Sequence, residues 1–377
     1  MKNKKILIPL ILILLAVIIV GIIIYPKKKE PEVIKIGAIL PLTGPSSEIG
    51  IWQKKGIDLA VENINKTGGI DGKKVVVQYE DSRGDPRNGT MAFIKLIASK
   101  DIYCVLSSLS SVSSATLPIA HKQRIVLVML AVSLPGIADR SEWAFRFNVG
   151  SDDEAHVMAK FLATKMGKPK IAVYYINDEF GNGALKTFRE AYVGYGGNVV
   201  WEQSYEKDQT DHRSNLTPLR NIKIDGVYVI GYVKSSVLAI KQMREMKIRV
   251  PIYANMALTV PVFLTLGGEA MEGVHFTTNL FTPDSKEPVV KQFVEMYSER
   301  FGEPPNFFSA FAYDAVNIVA EAIRRGGNTN VGIREGILSI KDYNGVMGKI
   351  TVEPNGDAEF PVRIVKVEKG KIVGVEQ

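Results

Sequence analysis

Two successive runs of this sequence alternate short apolar segments with segments of helical periodicity, and few folds accept such a pattern. In the first run "VIKIGAIL" reads as a buried strand, followed by Ile57, Ala60, Val61 and Ile64 on one face of a helix, spaced i, i+3, i+4, i+7. That helix stops at "NKTGG", where Gly68 and Gly69 supply the positive φ that a helix end wants. "KKVVVQYED" is the next strand, and Phe93, Leu96 and Ile97 mark the helix after it. "IYCVL", a short helix from about Val112, and "RIVLVML" extend the series. After residue 150 the unit recurs: "KIAVYYI", "NVVWEQSY", "DGVYVIGY" and "VPIYANM" read as strands. The intervening helices include one carrying Leu185, Phe188 and Tyr192. Later helices carry Val290, Phe293, Val294 and Tyr297, and then Ala312, Val316, Val319 and Ile323. The tail, punctuated by "PNGD", reads as β-rich hairpins. Alternating β and α units imply parallel sheets covered by helices on both faces, and two runs imply two α/β lobes. Ligands of such folds gather beyond the carboxyl ends of the strands.

The first residues follow another rule. "MKNKK" precedes Ile6–Tyr25, twenty residues without a charge. At about 1.5 Å per residue this is roughly 30 Å of helix, the thickness of a bilayer core. A cleaved signal peptide has a shorter apolar region and ends in small residues, whereas bulky Ile and Val fill the end of this one. A lipid anchor needs a cysteine just after the apolar run, and the only cysteine is Cys104. The segment is therefore expected to be an uncleaved single-pass transmembrane anchor. Lysines flank it on both sides, so the charge count alone leaves orientation nearly tied. A long C-terminal domain translocates regardless of a few flanking charges, which places the bulk of the chain outside the membrane.

Charge and motifs remove several function classes. Six of the 47 basic residues precede Glu30, leaving 41 against 40 acidic ones, so the net charge of +7 is no sign of nucleic-acid binding. One cysteine excludes an internal disulfide. "FGNGALK" has Gly181 and Gly183 but Lys186 at the third glycine position of a dinucleotide fingerprint, and no P-loop is present. His121, His156, His212 and His275 show no metal-binding spacing, so neither a cofactor nor a metal is expected.

One stretch resists a bland reading. "SSLSSVSSATLP" sets six serines into eight positions after the strand "IYCVL". It lacks the G-x-S-x-G elbow of a strained nucleophile, and apolar strands stand too close on both sides for a linker. Hydroxyls and backbone amides at a strand-to-helix turn suit an anion, a carboxylate above all, unless the serines merely cap the helix.

"INKTGGIDGKKVVVQYEDSRGDP" (residues 64–86) resembles the branched-chain amino-acid-binding proteins, the type I periplasmic solute receptors of ABC transporters. "IGAILPLTGP", "IAVYYINDEFGNG" and "VMGKITVEPNGD" extend the likeness over essentially everything after residue 32. The resemblance implies two doubly wound parallel-sheet lobes joined by three crossovers near Gly150, Leu280 and Gly348, closing on a small ligand. On that basis residues 1–29 are anchor and linker, 33–150 plus 281–347 form lobe 1, and 151–280 plus 348–377 form lobe 2. It implies that Ser110, with Ser111 beside it, holds a ligand carboxylate. Ala131 and Ser133 complete the clamp, and Phe180 and Tyr232 cover the ligand from the second lobe.

Departures accompany the likeness. Met256 stands where branched-chain binders carry an acid for the ligand ammonium, and Ile49 where an aromatic is usual. Gly84 and Leu109 replace a disulfide pair of some relatives. An ammonium without its anion would lose about 1.5–3 kcal/mol. Either Asp178 or Glu179 takes over, or the ligand is not a plain α-amino acid. The expected function is non-enzymatic: an extracytoplasmic solute-binding component serving permease and ATPase subunits on separate chains, with a branched-chain or other apolar amino acid as ligand. A ligand-sensing ectodomain or coreceptor of the same fold, binding an amide or a short carboxylate, is the alternative.

Overall fold

The structure is a computed structural model and describes residues 33–259, 262–279 and 281–375. The expected anchor at residues 6–25 lies outside the described residues, as does the second crossover at Leu280. Among the described residues no helix is long and apolar enough to cross a membrane.

Five strands build the first sheet: β1 (Val33–Leu40), β2 (Lys74–Asp81), β3 (Ile102–Ser108), β4 (Val126–Leu130) and β5 (Ala144–Arg146). All pair in parallel, in the order β2-β1-β3-β4-β5. In the middle of such a sheet both faces are covered, so alternation disappears: every residue of "VLVML" in β4 is buried. The second sheet repeats the plan with β6 (Lys170–Ile176), β7 (Asn198–Tyr205), β8 (Gly226–Ile230), β9 (Ile252–Ala254) and β10 (His275–Asn279). Its parallel part runs β7-β6-β8-β9-β10, the same order shifted by five strands. In each sheet the strand order reverses beside the first strand, and the loops leaving the carboxyl ends there open a crevice.

After β10 the chain returns to the first lobe. The helix Phe307–Gly326 lies against Ser47–Lys66, and Gly56 allows the approach: a Cβ there would stand 2.1 Å from the Ser309 carbonyl oxygen. A small antiparallel sheet follows, β11 (Tyr343–Gly345), β12 (Gly348–Val352) and β13 (Ala358–Glu359). Only then do β14 (Val362–Glu368) and β15 (Lys371–Gly374) pair antiparallel onto the edge of the second sheet.

The third crossover therefore corrects the sequence reading. It falls at Pro361 rather than near Gly348, because Ile350, Val352, Ala358 and Phe360 are buried in the first core. The Phe360 ring meets Phe311 edge-on, with centroids 4.7 Å apart. Residues 348–360 thus belong with lobe 1.

The first and third crossings are tied together by a buried cation. Arg146, 3% exposed, donates through Nε to Asp357 (2.7 Å) and through Nη1 to Asp152 (3.2 Å) and the Leu134 carbonyl (3.3 Å). The Ser133 carbonyl accepts from both the amide (2.8 Å) and the hydroxyl (2.6 Å) of Ser151, where the helix Ser151–Thr164 enters the second lobe.

Candidate ligand-binding site

Between the lobes lies a cavity of about 80 Å³. A volume several times what one water needs suits a small ligand. Ser110, Ala131, Ser133, Phe180, Tyr232 and Met256 all line it; Ser111, half-buried, does not.

The first-lobe wall is shaped by two turns at the strand ends. Leu109 adopts φ +73° before the helix Ser110–Gln123, and Ala131 adopts φ +49° after β4. Left-handed backbone at a non-glycine residue costs about 1–3 kcal/mol and persists only where the surroundings enforce it. Here both cases sit on the cavity. The first backbone bond of the helix runs from the Ser113 amide to the Leu109 carbonyl (2.9 Å), so the amides of Ser110, Ser111 and Val112 have no intrahelical acceptor. Among the described residues neither the Ser110 nor the Ser133 hydroxyl is engaged by a side chain.

The serine cluster is thereby sorted into separate tasks. Ser107 and Ser113 bond each other (2.9 Å) under the surface, and Ser110 faces the cavity. Ser114 reaches across the mouth to the Glu179 carboxylate of the second lobe (3.3 Å).

The second-lobe wall is aromatic. Phe180 and Tyr232 stack with centroids 5.6 Å apart and planes 25° from parallel. The Tyr232 hydroxyl donates to Asp178 Oδ2 (3.0 Å), and burial pushes its own ionisation well above the ordinary tyrosine range. Gly231 must be small: a Cβ would stand 1.8 Å from the Tyr205 hydroxyl. Its amide donates to Asn255 Oδ1 (3.1 Å), which locks the loops after β8 and β9 together.

Several lining residues were not legible as such in the sequence, and three of them shape the walls most. Phe307 and Phe308, at the start of the long first-lobe helix, supply aromatic surface on the side where Ile49 lacks it. Trp52 backs Phe308 in a stacked pair, 6.0 Å between centroids. The third is Glu154, which lines the cavity while only 4% exposed. Its Oε2 accepts from the Met256 amide (2.6 Å) and the Thr277 hydroxyl (2.7 Å). Burial pushes its carboxyl up to about 7, against the opposing pull of those two bonds.

Neither acid nominated from the sequence takes this place. Asp178 is spent on capping the helix Glu179–Gly194, accepting from the Gly181 amide (2.8 Å), and on holding Tyr232. Glu179 is exposed at the cleft mouth. Met256 packs into the first core, and its backbone amide rather than its side chain engages an acid. Among the described residues no group of His, Cys, Asp and Glu is arranged to hold a metal ion. His212 is buried with Nδ1 2.7 Å from the Tyr174 hydroxyl.

Two repeated α/β lobes, three passages between them and a small cavity at the facing strand ends form one arrangement. The sequence model of a family described as periplasmic binding protein matches residues 33–371. This chain belongs to that periplasmic binding protein family. A Leu/Ile/Val-binding protein homolog of Brucella melitensis is 28% identical to this periplasmic binding protein over 347 residues, 91% of this chain and 94% of the relative. The leucine-binding protein LivK of Thermotoga maritima superposes with a TM-score of 0.83 at 26% identity, covering 91% of this chain and 98% of that one. A solute-binding protein of an R. palustris ABC transporter, solved with benzoate, superposes with a TM-score of 0.81 at 18% identity, over 91% and 96% of the two chains. That last likeness is one of fold alone. Two of these relatives are named for binding leucine or Leu/Ile/Val, and the third is a solute-binding protein of an ABC transporter.

Proposed function

We propose that this chain is the extracytoplasmic solute-binding component of an ABC transporter, capturing a small apolar amino acid of the branched-chain class between its lobes. The observation that carries the reading is the composition of the two cavity walls. Free hydroxyls and helix-end amides around Ser110, Ala131 and Ser133 suit a carboxylate, while Phe180 and Tyr232 face them as an apolar cover. The open form takes the ligand on one wall, and contacts from the other wall stabilise closure, so binding shifts a population between two arrangements of the lobes. The closed protein then presents its cargo to permease and ATPase subunits on separate chains. The uncharged residues 6–25 fix it to the membrane, a role supported by their length and their flanking lysines.

A thermal-shift screen of the full chain against amino acids, amides and short carboxylic acids tests the reading. A ligand at 100 times its Kd adds about 2.7 kcal/mol of stability, and leucine, isoleucine or valine is expected to give that shift. Ser110→Ala should weaken the best ligand by roughly 1–3 kcal/mol. Unchanged affinity in that variant would remove Ser110 from the clamp, and silence from every apolar amino acid would refute the proposed cargo.

A further inference from the structure

Among the described residues two acids are buried deep, and they differ in one respect. Asp314 (2% exposed) gives one oxygen to each donor: Oδ1 accepts from the Val346 amide (3.0 Å) and Oδ2 from the Met347 amide (2.9 Å). It is a bracket for the β11–β12 turn, and nothing of it is left over. Glu154 places both of its donors, the Met256 amide and the Thr277 hydroxyl, on the single oxygen Oε2. Among the described residues its Oε1 has no hydrogen-bond partner and the carboxyl no ion-pair partner, although the side chain lines the cavity.

We infer that the free oxygen of Glu154 receives the ammonium group of an α-amino acid ligand, so that the acid missing at position 256 is supplied from the helix Ser151–Thr164. The inference rests on the proposed amino-acid cargo and sharpens it: the site selects α-amino acids over the same molecules without the amino group. The placement follows from the fold. Ser151 binds back to the Ser133 carbonyl at the rim, which starts the helix at the clamp and turns its fourth residue into the cleft. The ligand's two charged ends then meet different lobes, carboxylate at Ser110 and ammonium at Glu154.

The surroundings of Glu154 predict how it titrates. Asp152 and Asp153 on its own helix repel its charge, Tyr228 faces it from β8, and Thr277 on β10 and the Met256 amide are its donors. Among the described residues no cation offsets the burial, which holds the carboxyl near 7. An arriving ammonium favours the carboxylate, so the carboxyl proton leaves to solvent as the ligand enters. Proton release per ligand should therefore be larger at pH 6 than at pH 8.

Calorimetry on the full chain tests this with leucine, valine and phenylalanine, each paired with the same molecule lacking its amino group. Titrations in buffers of different ionisation heat count the protons. The expected result is a preference for the amino acid of roughly 10- to 150-fold, the range of a charged hydrogen bond. Glu154→Gln should lose most of that preference, keep the affinity for the deaminated analogue and abolish proton release. Retained binding of the analogue shows that the variant is folded, and proton counting in the unsubstituted protein needs no variant at all. Equal amino-acid affinity and proton release in Glu154→Gln would overturn the role of Glu154 while leaving the cargo class intact. Tighter binding of the deaminated molecules by the unsubstituted protein would overturn the inference and make the cargo a carboxylate. Binding of neither series would overturn the amino-acid cargo itself, and the inference with it.

Discussion

Replacing each buried acid by its amide separates a residue that builds the fold from one held ready for something else. The Glu154 carboxyl moves from the ordinary 4.5 to about 7 on folding, a cost of roughly 3 kcal/mol when it is ionised in the folded chain. The folded state binds the extra proton, so stability is fully present below about pH 4.5 and falls as pH rises toward 7. Glu154→Gln removes that slope. The glutamine oxygen can accept from both the Met256 amide and the Thr277 hydroxyl, because the two donors share one site, and the new NH2 group turns to the cavity. Without added ligand, the variant should therefore gain up to about 3 kcal/mol at pH 8 and nearly nothing at pH 4.5. Asp314→Asn relieves a similar burial cost, since that carboxyl also lies near 7. However, its NH2 group must oppose either the Val346 or the Met347 amide, and one buried donor loses its acceptor, a penalty of about 1–3 kcal/mol. Urea unfolding at pH 5 and pH 8, followed by tryptophan fluorescence, reads the difference. Equal changes in the two variants, or a Glu154→Gln protein with the original pH slope, would refute the reasoning from oxygen occupancy.

Other expectations are more local. Gly231→Ala should cost about 1–3 kcal/mol by driving a methyl into the Tyr205 hydroxyl, and adding Tyr205→Phe should return part of it in the same unfolding assay. Arg146→Met leaves Asp152 and Asp357 without their buried partner at the crossings; a loss of about 3–5 kcal/mol is expected, visible as a lowered melting midpoint. Tyr232→Phe keeps the ring against Phe180 but deletes the bond to Asp178, so ligand affinity by calorimetry should fall by no more than about tenfold.

The alternation of strands and helices was readable because parallel strands covered on both faces must be continuously apolar, as in "VLVML" and "GVYVI". The third crossover was not. β11, β12 and β13 span three, five and two residues, too short for periodicity to say which core receives them. Only their packing beneath Phe311 and beside Asp314 decides it. At the site, the clamp residues follow from motif resemblance, whereas in "SDDEAH" Glu154 is one acid among three at a helix start. A usable signal was present: residue 154 falls on the same helical face as Ala155, Met158, Ala159 and Leu162. An acid on an apolar stripe needs a partner or a purpose. Phe307 and Phe308 resemble core residues in any local pattern, and only the return of the chain after β10 brings them to the cavity.

Ser110, Ala131, Gly231 and Asn255 all stand just beyond the carboxyl ends of their strands, β3, β4, β8 and β9. Among the described residues the opposite pole of each sheet contributes nothing to the cavity. Variation can therefore act on a few short loops while both cores and the Arg146 tie stay as they are. Ligand preference in such a fold can thus change without any change in how the chain folds.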